Sequence, residues 1–135
     1  MNASTTDFMN LLKFLFGVKD KKTVSPATRK MAKDVWSTVQ TQVASKNPSS
    51  LKQAVVSCDK LLDAVLKDLV AGDTMGERLK NARDLFSGND RYQKAWEAHK
   101  VRNSMVHEVN YDPPYYVCND AVNNFNEALR DLGAL

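Results

Sequence analysis

The stretch Asn47–Leu69, N-P-S-S-L-K-Q-A-V-V-S-C-D-K-L-L-D-A-V-L-K-D-L, decides the fold. Asn47 followed by Pro48 is a helix start, because an Asn side chain accepts from free first-turn N–H groups and proline suits the first helical position. Leu51, Ala54, Val55, Cys58, Leu61, Leu62, Val65, Leu66 and Leu69 then recur at i, i+3, i+4 and i+7, the period of a helix with one buried face. Cys58 lies on that stripe and reads as a small buried hydrophobe rather than a reactive thiol. Gly72 is expected to close the helix.

Helical periods continue on both sides. Upstream, Ser25-Pro26 is another cap and first turn, and Met31, Val35, Val39 and Val43 predict a helix ending around Ser45–Asn47. Downstream, Thr74-Met75-Gly76-Glu77 fits a capping box, with Leu79, Ala82, Leu85 and Phe86 continuing a short helix. Ser87-Gly88-Asn89-Asp90 breaks it. Tyr92, Ala95, Trp96, Ala98, Val101, Met105 and Val106 carry the next helix to about Glu108, and Asn110–Pro114 is a loop. A last helix from Tyr115 to Leu132 turns Cys118, Ala121, Val122, Phe125, Leu129 and Leu132 inward. No segment holds a strand's period of two. The expected fold is an all-α, up-and-down bundle of four to five main helices over residues 23–135, preceded by a short N-terminal helix.

Composition agrees with this and excludes much else. The chain has 135 residues, 43% apolar and 26% charged, with a net charge of +3, which is one domain and not a disordered or collagen-like chain. Charge is uneven: residues 1–60 carry ten Lys/Arg against four Asp/Glu, and residues 61–135 nine against twelve. A surplus this modest fits a solvated surface better than a polyanion site. Two cysteines cannot staple the domain and have no metal-ligand spacing, so a reducing, cytoplasmic setting is expected. Residues 1–22 form an amphipathic segment and basic linker. Phe8, Leu11, Leu12 and Leu15 make its apolar stripe, Asp7 and Lys13 argue against a secretory signal, and Lys19, Lys21 and Lys22 follow. Such a segment either docks on the core or on a second subunit, or touches an anionic membrane peripherally.

Glycine-rich phosphate loops, G-x-S-x-G and H-E-x-x-H are all missing from the sequence, so no cofactor or metal is expected. Asp59 and Asp63, near Lys60 and Lys67, look like surface charges. What remains is A-W-E-A-H-K-V-R-N-S-M-V-H-E, Ala95–Glu108, which holds both histidines of the chain. With Arg102 at zero, His99, Asn103 and His107 fall at about 60°, 100° and 140° around a helix, so the four share one face. Asn103 is one turn before His107 and is expected to fix its ring. A guanidinium beside an imidazole suits gripping a phosphate while moving a proton. The alternative is structural: Arg102 paired with an acid and His107 capping its helix.

R-N-S-M-V-H resembles the R-x4-6-H motif of HEPN domains, small all-helical proteins of toxins, antiviral systems and RNA-processing factors. Ala54–Asp63 (A-V-V-S-C-D-K-L-L-D), Thr74–Lys80 (T-M-G-E-R-L-K) and the closing A-L-R-D-L-G-A-L are similar to small bacterial HEPN-like proteins, and the resemblance covers about residues 48–135. It implies a helical bundle, frequently dimeric, and in active members metal-independent RNA cleavage. Arg102 and His107 would be the catalytic pair and Asn103 the supporting polar residue. HEPN toxins paired with nucleotidyltransferase antitoxins carry R-x4-H-x-Y. Here Val109 occupies the tyrosine position and Tyr111 comes two places late, which departs from that subgroup and its cognate antitoxins.

Metal-free cleavage needs a base for the 2′-hydroxyl and an acid for the 5′-oxygen at one phosphate. His99 and His107 are ~12 Å apart along one helix, too far to share it. A two-fold homodimer would bring two copies of Arg102 and His107 face to face, leaving His99 either as support or as a core histidine. The two functions to weigh are therefore a HEPN-like endoribonuclease or RNA- or nucleotide-binding protein, and a non-catalytic helical interaction module, membrane-apposed through Phe8, Leu11, Leu12 and Leu15.

Overall fold

Helix boundaries are set by side chains that satisfy the free backbone groups at each end. In the computed structural model, which describes residues 7–8, 10–11 and 22–135, α1 runs Pro26–Ala44 and α2 Pro48–Leu69. The Ser25 hydroxyl accepts from Thr28 N–H at 3.1 Å, and Asn47 Oδ1 accepts from Ser49 and Ser50 N–H at 2.9 and 3.2 Å. Three residues join the pair as a hairpin, with Lys46 in the left-handed region at φ 56°. Asp68 near the end of α2 accepts from Ser25 N–H at 3.0 Å, which ties the start of α1 to it.

The following elements are α3 (Met75–Asn81), a single 3-10 turn (Arg83–Leu85), α4 (Asn89–His107) and α5 (Tyr115–Asp131). The protein is an all-α bundle of five helices over residues 26–131, with no strand among the described residues. α2 is its centre, packed against α1 on one side and α5 on the other, and also touching α3 and α4; α4 and α5 form the second tightly packed pair. This explains why its stripe is broad: Leu51, Ala54, Val55, Cys58, Leu61, Leu62, Val65 and Leu66 are all buried. α1, an outer helix, buries only Ala32 and Val39 fully, and Met31 is exposed rather than inward. Burial pushes the Cys58 thiol up to about 12 and raises Cys118 as well, so both are packing residues.

Two local expectations are corrected. Gly72 does not close α2, which ends at Leu69 with Val70 extended. Gly72 sits at φ 150°, where an added Cβ would lie 2.8 Å from Arg78 Cγ, and its carbonyl accepts from Arg78 Nη1 at 2.8 Å. Its role is close approach to Arg78. The Thr74 hydroxyl does cap Glu77 N–H at 3.1 Å, but Glu77 Oε2 reaches back to Asp73 N–H at 2.7 Å, one residue before the cap. At the far end Ala134 N–H donates to Leu129 O and Gly133 N–H, at φ 85°, to Arg130 O, a Schellman finish to α5.

Of the N-terminal apolar stripe, Phe8 and Leu11 are helical and exposed, while Leu12 and Leu15 lie outside the described residues. No helix among the described residues is long and apolar enough to cross a membrane.

Candidate functional site

α4 enters from Gly88 and carries a run of edge-to-face rings down its inner side. Phe86 meets Tyr92 at 5.7 Å, Tyr92 meets Trp96 at 6.5 Å, and Trp96 meets His99 at 5.9 Å between centroids. Packed this way, the His99 ring is 7% exposed and cannot be hydrated. Its nitrogens therefore need protein partners. His99 Nδ1 is 2.8 Å from Asp59 Oδ1 on α2, and Nε2 is 3.2 Å from Asn103 Nδ2. An ionised carboxylate only accepts, so Nδ1 carries the hydrogen toward Asp59, and in the neutral ring Nε2 accepts from the Asn103 amide.

Asn103 is occupied on its other side as well. Arg102 Nη1 donates to Asn103 Oδ1 at 3.2 Å, and Arg102 Nε lies 3.4 Å from Asp59 Oδ2. The four side chains thus form a closed ring: Asp59, His99, Asn103, Arg102 and back to Asp59. The last link is an ion pair without a well-aimed hydrogen bond, since Arg102 Nε is enclosed and has no acceptor. A buried carboxylate is costly alone, and Asp59 is offset here by a guanidinium and an imidazole N–H.

Three of the residues singled out by sequence, Arg102, Asn103 and His99, are brought together. His107 is not. It is the last residue of α4, exposed, ~7.5 Å further along the axis than Arg102. Asn103 orients His99 and Arg102 instead of the His107 ring, because His99 lies on the same turn side and is already fixed by Asp59. The α4–α5 connection with its flanking residues mixes exposed apolar side chains, Val106, Val109, Tyr115 and Tyr116, with exposed Glu108, Asn110 and Asp112. Lys52 pairs with Asp112 to hold that loop to the start of α2.

Asp59 is the member of this cluster that the sequence reading missed, and its placement as a surface charge is corrected: it is 3% exposed. The signal was present, since Asp59 is four residues after Val55, three before Leu62 and seven before Leu66, on the apolar stripe itself. Asp63 is likewise no ordinary surface charge, because it accepts from Arg78 Nε at 2.9 Å, with Arg78 Nη2 at 2.7 Å. Among the described residues no group of three or more His, Cys, Asp or Glu side chains converges as metal ligands do.

Comparison with protein-family models, with curated proteins and with solved structures finds no match to this chain.

Proposed function

We propose that the chain is a HEPN-like, metal-independent endoribonuclease whose site is completed by a second copy of itself. The observation that supports this reading is the state of Arg102. Its guanidinium is a quarter exposed, lies against Asp59 and Asn103, and makes only one hydrogen bond within the chain, which leaves donors for an anionic oxygen. With His99 committed to Asp59, each chain offers one exposed imidazole. Acid and base at a single phosphate then require two chains, with Arg102 stabilising the charged transition state and His107 from each copy moving a proton. The expected substrate is single-stranded RNA, the products carry 2′,3′-cyclic phosphate ends, and the setting is cytoplasmic.

The test is incubation of RNA in EDTA with wild type, Arg102→Ala and His107→Ala. Cleavage by wild type and a loss of about a hundredfold or more in each variant is expected. No cleavage by wild type, or full cleavage by either variant, overturns the reading.

A second reading has its own observation. The exposed apolar residues of the α4–α5 connection, and an Arg102 already paired with Asp59, suit a non-catalytic dimerisation module that binds a nucleotide or nothing at this face. It predicts a stable dimer with no RNA cleavage. Flotation with anionic liposomes, with and without residues 1–22, separates any peripheral membrane role.

A further inference from the structure

The closed ring of side chains has a direction. Arg102 Nη1–H points to Asn103 Oδ1, Asn103 Nδ2–H to His99 Nε2, and His99 Nδ1–H to Asp59 Oδ1. Asn103 and His99 each accept from one neighbour and donate to the other, between Arg102, which only donates, and Asp59, which only accepts, and this order holds only while His99 Nε2 is bare. A proton on Nε2 would face the Asn103 amide donor with another donor. The amide must then turn over, offering its oxygen to His99 and its NH2 to Arg102, which loses its acceptor. Asp59 from α2 and Arg102 from α4 are the charged groups facing His99. The Asp63–Arg78 pair lies one turn further along α2, and Trp96 closes the ring's other face.

We propose that Asp59, His99 and Asn103 are positioning residues for Arg102, and that the neutral Nδ1–H form of His99 is what locks the guanidinium in its anion-binding orientation. Their place in the site rests on the reading of Arg102 as the phosphate-gripping cation, but the lock is a property of the protein alone. Loss of the proton from His99 fixes Arg102, and its gain frees Arg102 to turn away from Asn103. Arg102 keeps its ionic contact with Asp59 in both states, so the change is one of orientation and not of charge at residue 102.

The experiment is nitrogen-detected NMR of the full chain, following the His99 ring nitrogens and the Arg102 guanidinium as pH is lowered. While its ring is neutral, His99 is expected as the Nδ1–H tautomer, and Arg102 should show separate Nη resonances, the sign of hindered rotation. On acidification those resonances should merge with the same midpoint as the His99 titration. In Asn103→Leu the Arg102 resonances should be merged at every pH. In Asn103→Asp, which keeps an oxygen for Arg102 whatever the state of His99, they should stay separate throughout. An Nε2–H tautomer of His99, or Arg102 order that passes unchanged through the His99 titration in wild type, overturns the proposal. Neither readout needs RNA, so failure of the lock and failure of the nuclease reading are told apart by the cleavage assay on the same samples.

Discussion

α2 carries two aspartates one turn apart, Asp59 and Asp63, and each meets an arginine from another helix, yet the two pairs are built differently. Arg78 is used up. Its Nε and Nη2 engage Asp63 at 2.9 and 2.7 Å, its Nη1 engages the Gly72 carbonyl at 2.8 Å, and its side chain is 10% exposed. Arg102 makes one hydrogen bond, to Asn103, stands 3.4 Å from Asp59 with its Nε unmatched, and is 25% exposed. A guanidinium engaged through all three of its nitrogens pins the α2–α3 corner in place. One with donors to spare, held by a network that does not consume them, is equipped to receive an anion.

Removing each arginine in turn is the sharpest way to break that comparison. Arg78→Ala leaves Asp63 and the Gly72 carbonyl without their partner, and is expected to cost about 3 kcal/mol in denaturant unfolding. RNA cleavage measured below the new unfolding midpoint should stay near wild type. Gly72→Ala attacks the same corner through the backbone, combining a φ of 150° with a Cβ 2.8 Å from Arg78 Cγ, and should cost about 2 kcal/mol in the same assay. Arg102→Ala is expected to cost only about 1–2 kcal/mol, since His99 still donates to Asp59, while abolishing cleavage. Equal stability losses in Arg78→Ala and Arg102→Ala, or cleavage lost in both at full folding, would erase the distinction.

The smallest effect concerns the third acid of the row. Asp68 accepts from the Ser25 backbone N–H and interacts with the Thr28 hydroxyl, which hold its carboxyl below the usual carboxylate range. Its folded value is therefore lower than its unfolded one. The small stabilisation it gives is complete above the ordinary aspartate range of about 4 and is lost as pH falls through the lowered folded value. Asp68→Asn should remove that part of the acid sensitivity, visible as a flatter unfolding midpoint against pH across the acid range.

The bundle was legible from the sequence because its central helix follows one rule along its whole length. Caps at Ser25, Asn47 and Thr74 and the inward stripe of Tyr115–Leu132 each point to the same elements as the periodicity. What escaped depended on residue type being read before position. Asp59 looked like solvent-facing charge although it stood between Val55 and Leu62 on the buried face, and Gly72 looked like a helix terminator although its neighbour across the turn is Arg78. Arg102, Asn103 and His99 could be grouped by helical angle alone, but the partner that organises them is forty residues from His99, on α2. No local pattern carries such a pairing. His107 was placed with the others by the same angles, and lies apart because it ends the helix five residues beyond Arg102.

The most direct test of the shared site is to measure RNA cleavage in EDTA and molecular mass by light scattering on the same dilution series. If two copies together form the site, cleavage per chain should fall on dilution with the midpoint at which the dimer comes apart. Cleavage per chain that stays constant while the protein becomes monomeric would contradict a site made by two copies of Arg102 and His107.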